Sequence, residues 1–329
     1  MNGIRSSLDA VVIGDANVDV ILQVPEHPSA SGIAGSSAAV RGHQLYVGSG
    51  GAAANTAMAL AKLERRVGFV GVVGNDLFGN LIRQKQSDAG IDLSHLGVVN
   101  GATTGVVFRF EASDGRAVIY SSPGPPALDA LLLNSDYISA ARVLYISGNI
   151  LTQTRAIGAA VRDLARTARR NGLAVVLDPG RFWLDLSLAS YIEDLVVTAQ
   201  VLLPNLYEAQ LLTGEQESES IIQKFINKGA QWVVVKRGDA GCVAASSAES
   251  FYFDAYPVTV VSPFGAGDAF NAGVIHGLLK EWPLRETVKF ATALAGLKVR
   301  QRGTQEGLPS EAEVLAFLSR QGESSRGAT

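Results

Sequence analysis

Short, wholly apolar runs separated by stretches with helical spacing set the rhythm of this chain. AVVIG (Ala10 to Gly14), RVGFVGVVG (Arg66 to Gly74), VLYISG after Arg142, LAVVLDPG after Gly172, VLLPN ending at Asn205 and WVVVKRG after Gln231 show no apolar–polar alternation. Strands of that kind are covered on both faces, as in a parallel sheet flanked by helices. GSGGAAANTAMALAKLE, starting at Gly48, reads as a glycine turn feeding an Ala-rich helix. Further helices are predicted from Thr152 to Arg170, near Leu188 to Thr198, from Tyr207, from Ala266 to Leu279, from Leu284 to Val299 and from Ser310 to Arg320. Strands alternating with helices in this order predict a doubly wound α/β fold with helices on both faces of a mostly parallel sheet.

The segment from Gly97 to Ser122 reads differently. TGVVFRFEASDGRAVIYSS alternates about Ser113-Asp114-Gly115, a hairpin signal. With strands near Val18 to Val24 and Gln44 to Val47, it predicts a small separate antiparallel sheet, a lid formed by segments of about 18–47 and 97–122. Residues 1–320 are then one domain, and the polar tail 321–329, QGESSRGAT, is expected to be disordered.

Composition narrows what such a fold does. Hydrophobic residues make up 47% and charged residues 18%, the profile of a compact enzyme. Lys and Arg number 28 against 31 Asp and Glu, a net charge of −3, and no basic stripe stands out, so nucleic acid is not an expected partner. No apolar stretch reaches the ~18 residues that indicate a membrane span. The first apolar run soon meets Asp15, Asn17 and Asp19, unlike a signal peptide. A cytoplasmic location is the expectation. Cys242, the only cysteine, can form neither an intrachain disulfide nor a cysteine cluster, and within CVAA it reads as a small buried hydrophobe.

The strongest local signal for chemistry is SPFGAGDAFNAGVIHGLL, Ser262 to Leu279. Gly265, Ala266 and Gly267 open an apolar helix with Asp268 in its first turn. Small residues let a ligand approach the backbone, and a helix start offers unpaired N–H groups to an anion. Phosphoryl transfer asks for this arrangement: donors around the migrating group, and a carboxylate against the attacking hydroxyl. The segment alone equally fits a carboxylate that only caps a helix. Asn17 and Asp19 follow a buried strand, at the carboxyl end where open α/β sheets bind ligands; the plain alternative is a polar turn. Gly50 and Gly51, with Asn55 one turn into the helix, are either a close-approach site or a flexible turn and cap. Asn205 and Glu208 share a helix face if helical. Glu208 can act on Mg²⁺ through water, or be an exposed acid at a helix start.

Gly265, Ala266, Gly267, Asp268, Phe270 and Gly273 resemble the C-terminal signature of the PfkB family of carbohydrate kinases, roughly D-T-x-G-A-G-D-x-F-x-x-G. Gly50 to Asn55 resembles its N-terminal signature G-G-x-x-x-N. GDANVDV is similar to the opening strand whose Asn and Asp bind the sugar, here Asn17 and Asp19. Pro204-Asn205 through Glu208 is similar to the N-x-x-E element near metal and phosphates, and VVVKRGDAG to the nucleotide-binding turn, giving Lys236, Gly238 and Gly241. Each match alone is weak to moderate; five in family order across nearly the whole chain are strong. The resemblance implies a ribokinase-like fold, ATP and Mg²⁺, a small sugar or sugar acid held by Asn17, Asp19, Gly51 and Asn55, and Asp268 as general base beside amides of Gly265 to Gly267. It further implies Asn149 and Arg181 as substrate contacts and Thr292, with Ala295, against the adenine. A homodimer through the lid is compatible with it.

The sequence also departs from the pattern. Ser262-Pro263 stands where many relatives have Asp-Thr, whose Asp helps bind an activating monovalent cation, so that requirement stays open. Gly180 replaces an Asn of the fructokinase and 2-keto-3-deoxygluconate kinase pattern around DPGRFW. Ala52 stands where ribokinase has Lys, and Asn149 where it has an acid, which argues against strict D-ribose specificity. A nucleoside kinase of the same superfamily and a non-catalytic ligand-binding relative are the competing readings. A nicotinamide-dependent Rossmann enzyme or a Walker-type NTPase lacks its glycine fingerprint here.

Overall fold

Ala10 and Val12 face one layer of helices while Val11 and Ile13 face the other, which is why this strand is apolar at every position. The computed structural model describes residues 8–24, 42–112, 117–122, 124–125, 133–152, 155–180 and 189–326. Strand β1 (Ala10–Ile13) is followed by β2 (Asn17–Val24), β3 (Gln44–Gly50), helix α1 (Ala52–Lys62), β4 (Val67–Gly74), α2 (Leu77–Asp88) and β5 (Leu96–Val99). Then come β6 (Gly105–Ala112), β7 (Ala117–Ser122), α3 (Ser135–Ser139), β8 (Val143–Ser147), α4 (Arg155–Arg170), β9 (Ala174–Asp178), α5 (Ala189–Thr198) and β10 (Val201–Leu202). The chain continues through α6 (Leu206–Thr213), α7 (Ser218–Asn227), β11 (Trp232–Lys236), β12 (Cys242–Ala245), β13 (Ser250–Phe253), α8 (Ala266–Leu279), α9 (Leu284–Lys298) and α10 (Glu311–Arg326).

The main sheet has nine strands in the order β13-β12-β11-β10-β9-β8-β1-β4-β5. From β5 to β11 neighbours pair in parallel; β12 is antiparallel to β11 and β13 to β12. Residues of α1, α2, α8, α9 and α10 pack on one face and those of α3 to α7 on the other. Strand order reverses at β1, whose neighbours are β4 on one side and β8 on the other, so a crevice opens at the carboxyl ends there. A four-stranded sheet, β3-β2-β6-β7, stands apart as the lid. Strand β2 leaves directly from the end of β1 and β3 runs directly into α1, which ties the lid to the crevice.

Four expectations need correction. The lid sheet is mixed rather than antiparallel, since β2 pairs in parallel with β6, Asn17 opposite Gly105, and antiparallel with β3. The lid does not begin at residue 97: β5 pairs in parallel with β4, Gly71 opposite Leu96, and closes the edge of the main sheet. The predicted tail is helical as far as Arg326 rather than disordered from 321, because extending an existing helix avoids the unfavourable nucleation step. The helix expected from Thr152 starts at Arg155, after a 3-10 segment over Gly148–Thr152. Helices α2 and α7 were not expected from the pattern. The Ser113-Asp114-Gly115 turn lies outside the described residues. Among the described residues no helix is long and apolar enough to cross a membrane. Cys242 is buried on the inner side of β12, and burial pushes its thiol up to about 12.

Candidate active site

Between the carboxyl ends of the parallel strands and the lid lies a cleft of about 1110 Å³. Its floor is made where α8 begins. Gly265 takes a left-handed conformation, φ 78°, and the first helical bond runs from Ala269 N–H to Gly265 O. The N–H groups of Gly267 and Asp268 therefore precede the helical ladder. Of the Gly265, Ala266 and Gly267 amides, that of Ala266 turns back toward Pro263 O at 3.4 Å.

Asp268 sits in the first turn of α8, and its Oδ2 accepts from Asn55 Nδ2 at 2.7 Å. Burial pushes its carboxyl up to about 7; the Asn55 bond and Lys236 pull it down, while Asp178 and Asp15 push it further up. Its neighbour Lys236, at the end of β11, donates to Asp178 Oδ2 at 2.9 Å and to Asn271 Oδ1 at 3.0 Å. A Cβ at Gly267 would lie 3.9 Å from the Lys236 ammonium, so this cation stands beside the helix mouth. Asn271 also donates to Tyr145 Oη at 3.1 Å. The lysine is thus a partly buried ion-pair member.

The lid side is built by β2, β3 and β6. Asp19 is 1% exposed. It accepts from Thr304 Oγ1 at 2.9 Å and from Asn17 Nδ2 at 3.2 Å, and faces Arg109 Nη2 at 3.6 Å. Burial raises its pKa, against the pull of Arg109 and Thr304. Arg109 lies over the Phe264 ring, 3.9 Å from its centroid. Asp15 caps the start of α1, accepting from Ala52 N–H at 3.0 Å, and also accepts from Ser147 Oγ at 3.2 Å. Gly51 holds φ 100°, and a Cβ there would meet Asp15 O at 2.6 Å, so this position admits only glycine. Asn55 Oδ1 accepts from Gln305 Nε2 at 3.1 Å.

On the far side, Asn205 caps α6 and shares a capping box with Glu208. Glu208 is 5% exposed, not an exposed acid. Its carboxylate accepts from Asn205 N–H at 2.9 Å and from Asn205 Nδ2 at 2.7 Å. Gly238 and Gly241 flank a 3-10 turn with φ 62° and 75°. Tyr256, Val258, Thr292, Ala295 and Gly296 form a largely apolar wall.

One cleft therefore brings together Asn17, Asp19, Gly51, Asn55 and Asn149 with Gly265, Ala266, Gly267 and Asp268, and also Asn205, Glu208, Lys236, Gly238, Gly241 and Thr292. Arg181 lies outside the described residues. Sequence reasoning missed Asp15, Arg109, Asp178 as the partner of Lys236, Asn271, Thr304 and Gln305. Asp15, Asp178 and Asn271 lie inside the quoted GDANVDV, DPGRFW and SPFGAGDAFNAGVIHGLL, where a polar residue in the motif was the available signal; for Arg109, Thr304 and Gln305 only the tertiary fold supplies it.

Residues 7–311 match the pfkB family carbohydrate kinase. The ribokinase of Haemophilus influenzae is 27% identical over 313 residues, 93% of this chain and 97% of that protein. The 2-dehydro-3-deoxygluconokinase of Bacillus subtilis is 30% identical over 287 residues, 83% of this chain and 87% of the relative. In structure, the Arabidopsis thaliana ribokinase complexed with ribose and ATP superposes with a TM-score of 0.79 at 26% identity, covering 94% of this chain and 98% of that one. On the extent of that family match and the shared doubly wound fold, this chain belongs to the pfkB family of carbohydrate kinases.

Proposed function

We propose that this chain transfers the terminal phosphoryl group of ATP, bound with Mg²⁺, to a hydroxyl of a small sugar or sugar acid, with Asp268 as general base. The observation that carries this reading is Asp268 itself: a carboxyl at about 7, steadied by Asn55, beside the amides that open α8. A base is most effective when its pKa lies near the working pH. In this reading Asn17, Asp19, Gly51 and Asn55 orient the sugar, with Asn149 at its other edge, and Asp268 takes the hydroxyl proton. The Gly267 and Asp268 amides, with Lys236 beside them, hold the phosphoryl oxygens. Gly238, Gly241 and Thr292 border the nucleotide.

The cleft fits such a partner. A helix mouth suits phosphate oxygens, and Glu208 with Asn205 offers the sparse oxygen donors that suit a largely hydrated Mg²⁺. The ion would neutralise phosphate charge, with Glu208 holding it through water. Arg109 adds a cation to the sugar side and so suits a sugar-acid carboxylate as well as a neutral hydroxyl pattern.

The test is ADP release over ribose, fructose, 2-dehydro-3-deoxygluconate, 5-dehydro-2-deoxygluconate and nucleosides. Turnover is expected with at least one sugar or sugar acid, with kcat/KM at least tenfold above every nucleoside. Turnover confined to nucleosides, or none at all, would refute the proposal.

The lid is proposed to join two copies of the chain. Leu45, Val47 and Phe108 are 61%, 44% and 42% exposed. Val47 and Phe108 both pair with Val20, so they share the lid face opposite to Asp19 and Arg109. Contiguous exposed apolar side chains of this kind mark association surfaces. Light scattering is expected to give twice the chain mass for the wild type and the single-chain mass for Leu45→Glu/Phe108→Glu; a monomeric wild type would exclude the lid dimer.

A further inference from the structure

Lys298 ends α9 fully buried, at 0% exposure, among the largest side chains of the interior. Among the described residues its ammonium meets a carbonyl rather than a carboxylate, Nζ donating to Gly303 O at 2.8 Å. A lone buried cation opposes folding, and a Leu or Met of similar length would fill the space without desolvating a charge. Its surroundings give the lysine a purpose. A Cβ at Gly265 would come within 3.2 Å of Lys298 Cε, so the end of this side chain presses against the turn that opens α8. The carbonyl it holds belongs to the stretch whose next two residues reach the site. Thr304 donates to Asp19 at 2.9 Å, and Gln305 to Asn55 at 3.1 Å, which in turn donates to Asp268. The segment leading into α8 is fastened to the same place, since Val261 and Ser262 both donate to Val299 O.

We infer that Lys298 is an internal cation and a positioning residue: its ammonium, fixed behind the Gly265 turn, adds positive potential to the helix mouth and pins residues 303–305 so that Asn55 and Asp268 keep their alignment. The inference rests on the phosphoryl-transfer reading above. Burial holds the ammonium down to about 8. The charged groups facing it are Glu306 of the following loop and Asp268 of α8, which hold its pKa up, and Arg109 of β6, which opposes them. The cation is therefore present at neutral pH and lost as the pH rises through about 8.

The test uses the full chain, its best sugar and Mg²⁺·ATP. Wild-type kcat is expected to change less than about twofold when choline replaces potassium or ammonium, because the charge is built in. Lys298→Met, similar in length but neutral, is expected to lower kcat by at least about tenfold, to alter the sugar KM less than about threefold, and to abolish the alkaline fall near 8. In Lys298→Ala, ammonium chloride is expected to restore activity at least about threefold and choline chloride none, since only a small cation fits where the ammonium sat. Thermal unfolding separates this from damage to the fold: Lys298→Met is expected to melt no lower than the wild type. A wild type stimulated more than tenfold by potassium would overturn the inference, as would a Lys298→Met enzyme with unchanged kcat and pH profile. If the wild type phosphorylates no sugar, the functional proposal fails by itself. Titration of Mg²⁺·AMP-PNP then decides the role of the cation: binding weakened about threefold or more in Lys298→Met upholds it, and equal affinity rejects it.

Discussion

Asp268→Asn is expected to lower kcat by ~10²–10⁴-fold, the range for losing a general base, while leaving the fold intact. Asn keeps an oxygen for the bond from Asn55 Nδ2, so the side chain stays in place without a proton-accepting carboxylate. The same change has a second, opposite signature. Asp268 is raised by burial from an ordinary carboxylate value to about 7, so the folded protein binds a proton more tightly than the unfolded chain. Stability is therefore lost as the pH rises from about 4 toward 7, and the ionised carboxylate burdens the fold above that. The Asn variant escapes this. At pH 8 it is expected to melt on the order of 2–6 °C higher than the wild type, with the advantage gone near pH 4. In the wild type, kcat/KM should fall on the acid side with an apparent pKa near 7. Steady-state ADP release and melting curves at several pH values check all three; near-normal turnover in the variant would end the base assignment.

Gly265→Ala is expected to reduce kcat/KM by roughly 10²–10³-fold and to destabilise the fold by about 2–4 kcal/mol, within the range of backbone-strain and overpacking effects. Two faults coincide there. A left-handed φ of 78° is unfavourable for any residue with a Cβ, and the new methyl would lie 2.4 Å from Thr304 O. Either α8 or the 303–305 stretch must shift, and that stretch supports both Asp19 and Asn55. Gly267→Ala is the control, because its nearest neighbour is Lys236 Nζ at 3.9 Å and its φ is ordinary. Its stability should stay within about 0.5 kcal/mol of the wild type. Urea unfolding with kinetics on both variants checks the contrast; Gly265→Ala with native stability and activity would refute it.

The parallel core was readable because burial on both faces leaves no polar position in a strand, as in β1 and β4, where every residue is buried. Strand β5 misled for the converse reason. At the sheet edge it is nowhere fully buried, so LGVV looks like part of the half-solvated lid. Helix α2 buries only Gly79, Ile82 and Gln86, too thin a stripe to show a helical period. Its start signal was nevertheless present, since Asp76 accepts from Gly79 N–H as an N-cap. Motifs confined to a turn and the helix after it, such as GAGD and NLYE, were visible locally. What binds them together was not: Thr304 with Asp19, Gln305 with Asn55 and Arg109 with Phe264 join distant segments, and Lys298, at the end of an Ala-rich helix, reads as a solvent-facing residue until the fold encloses it.

The bond from Thr304 to Asp19 crosses from the loop after α9 to the lid, and the adjoining Gln305 holds Asn55. In the proposed reaction the hydroxyl held by Asp19 and the carboxylate that takes its proton would both lean on residues 303–305, so loosening that stretch should weaken sugar binding and turnover together.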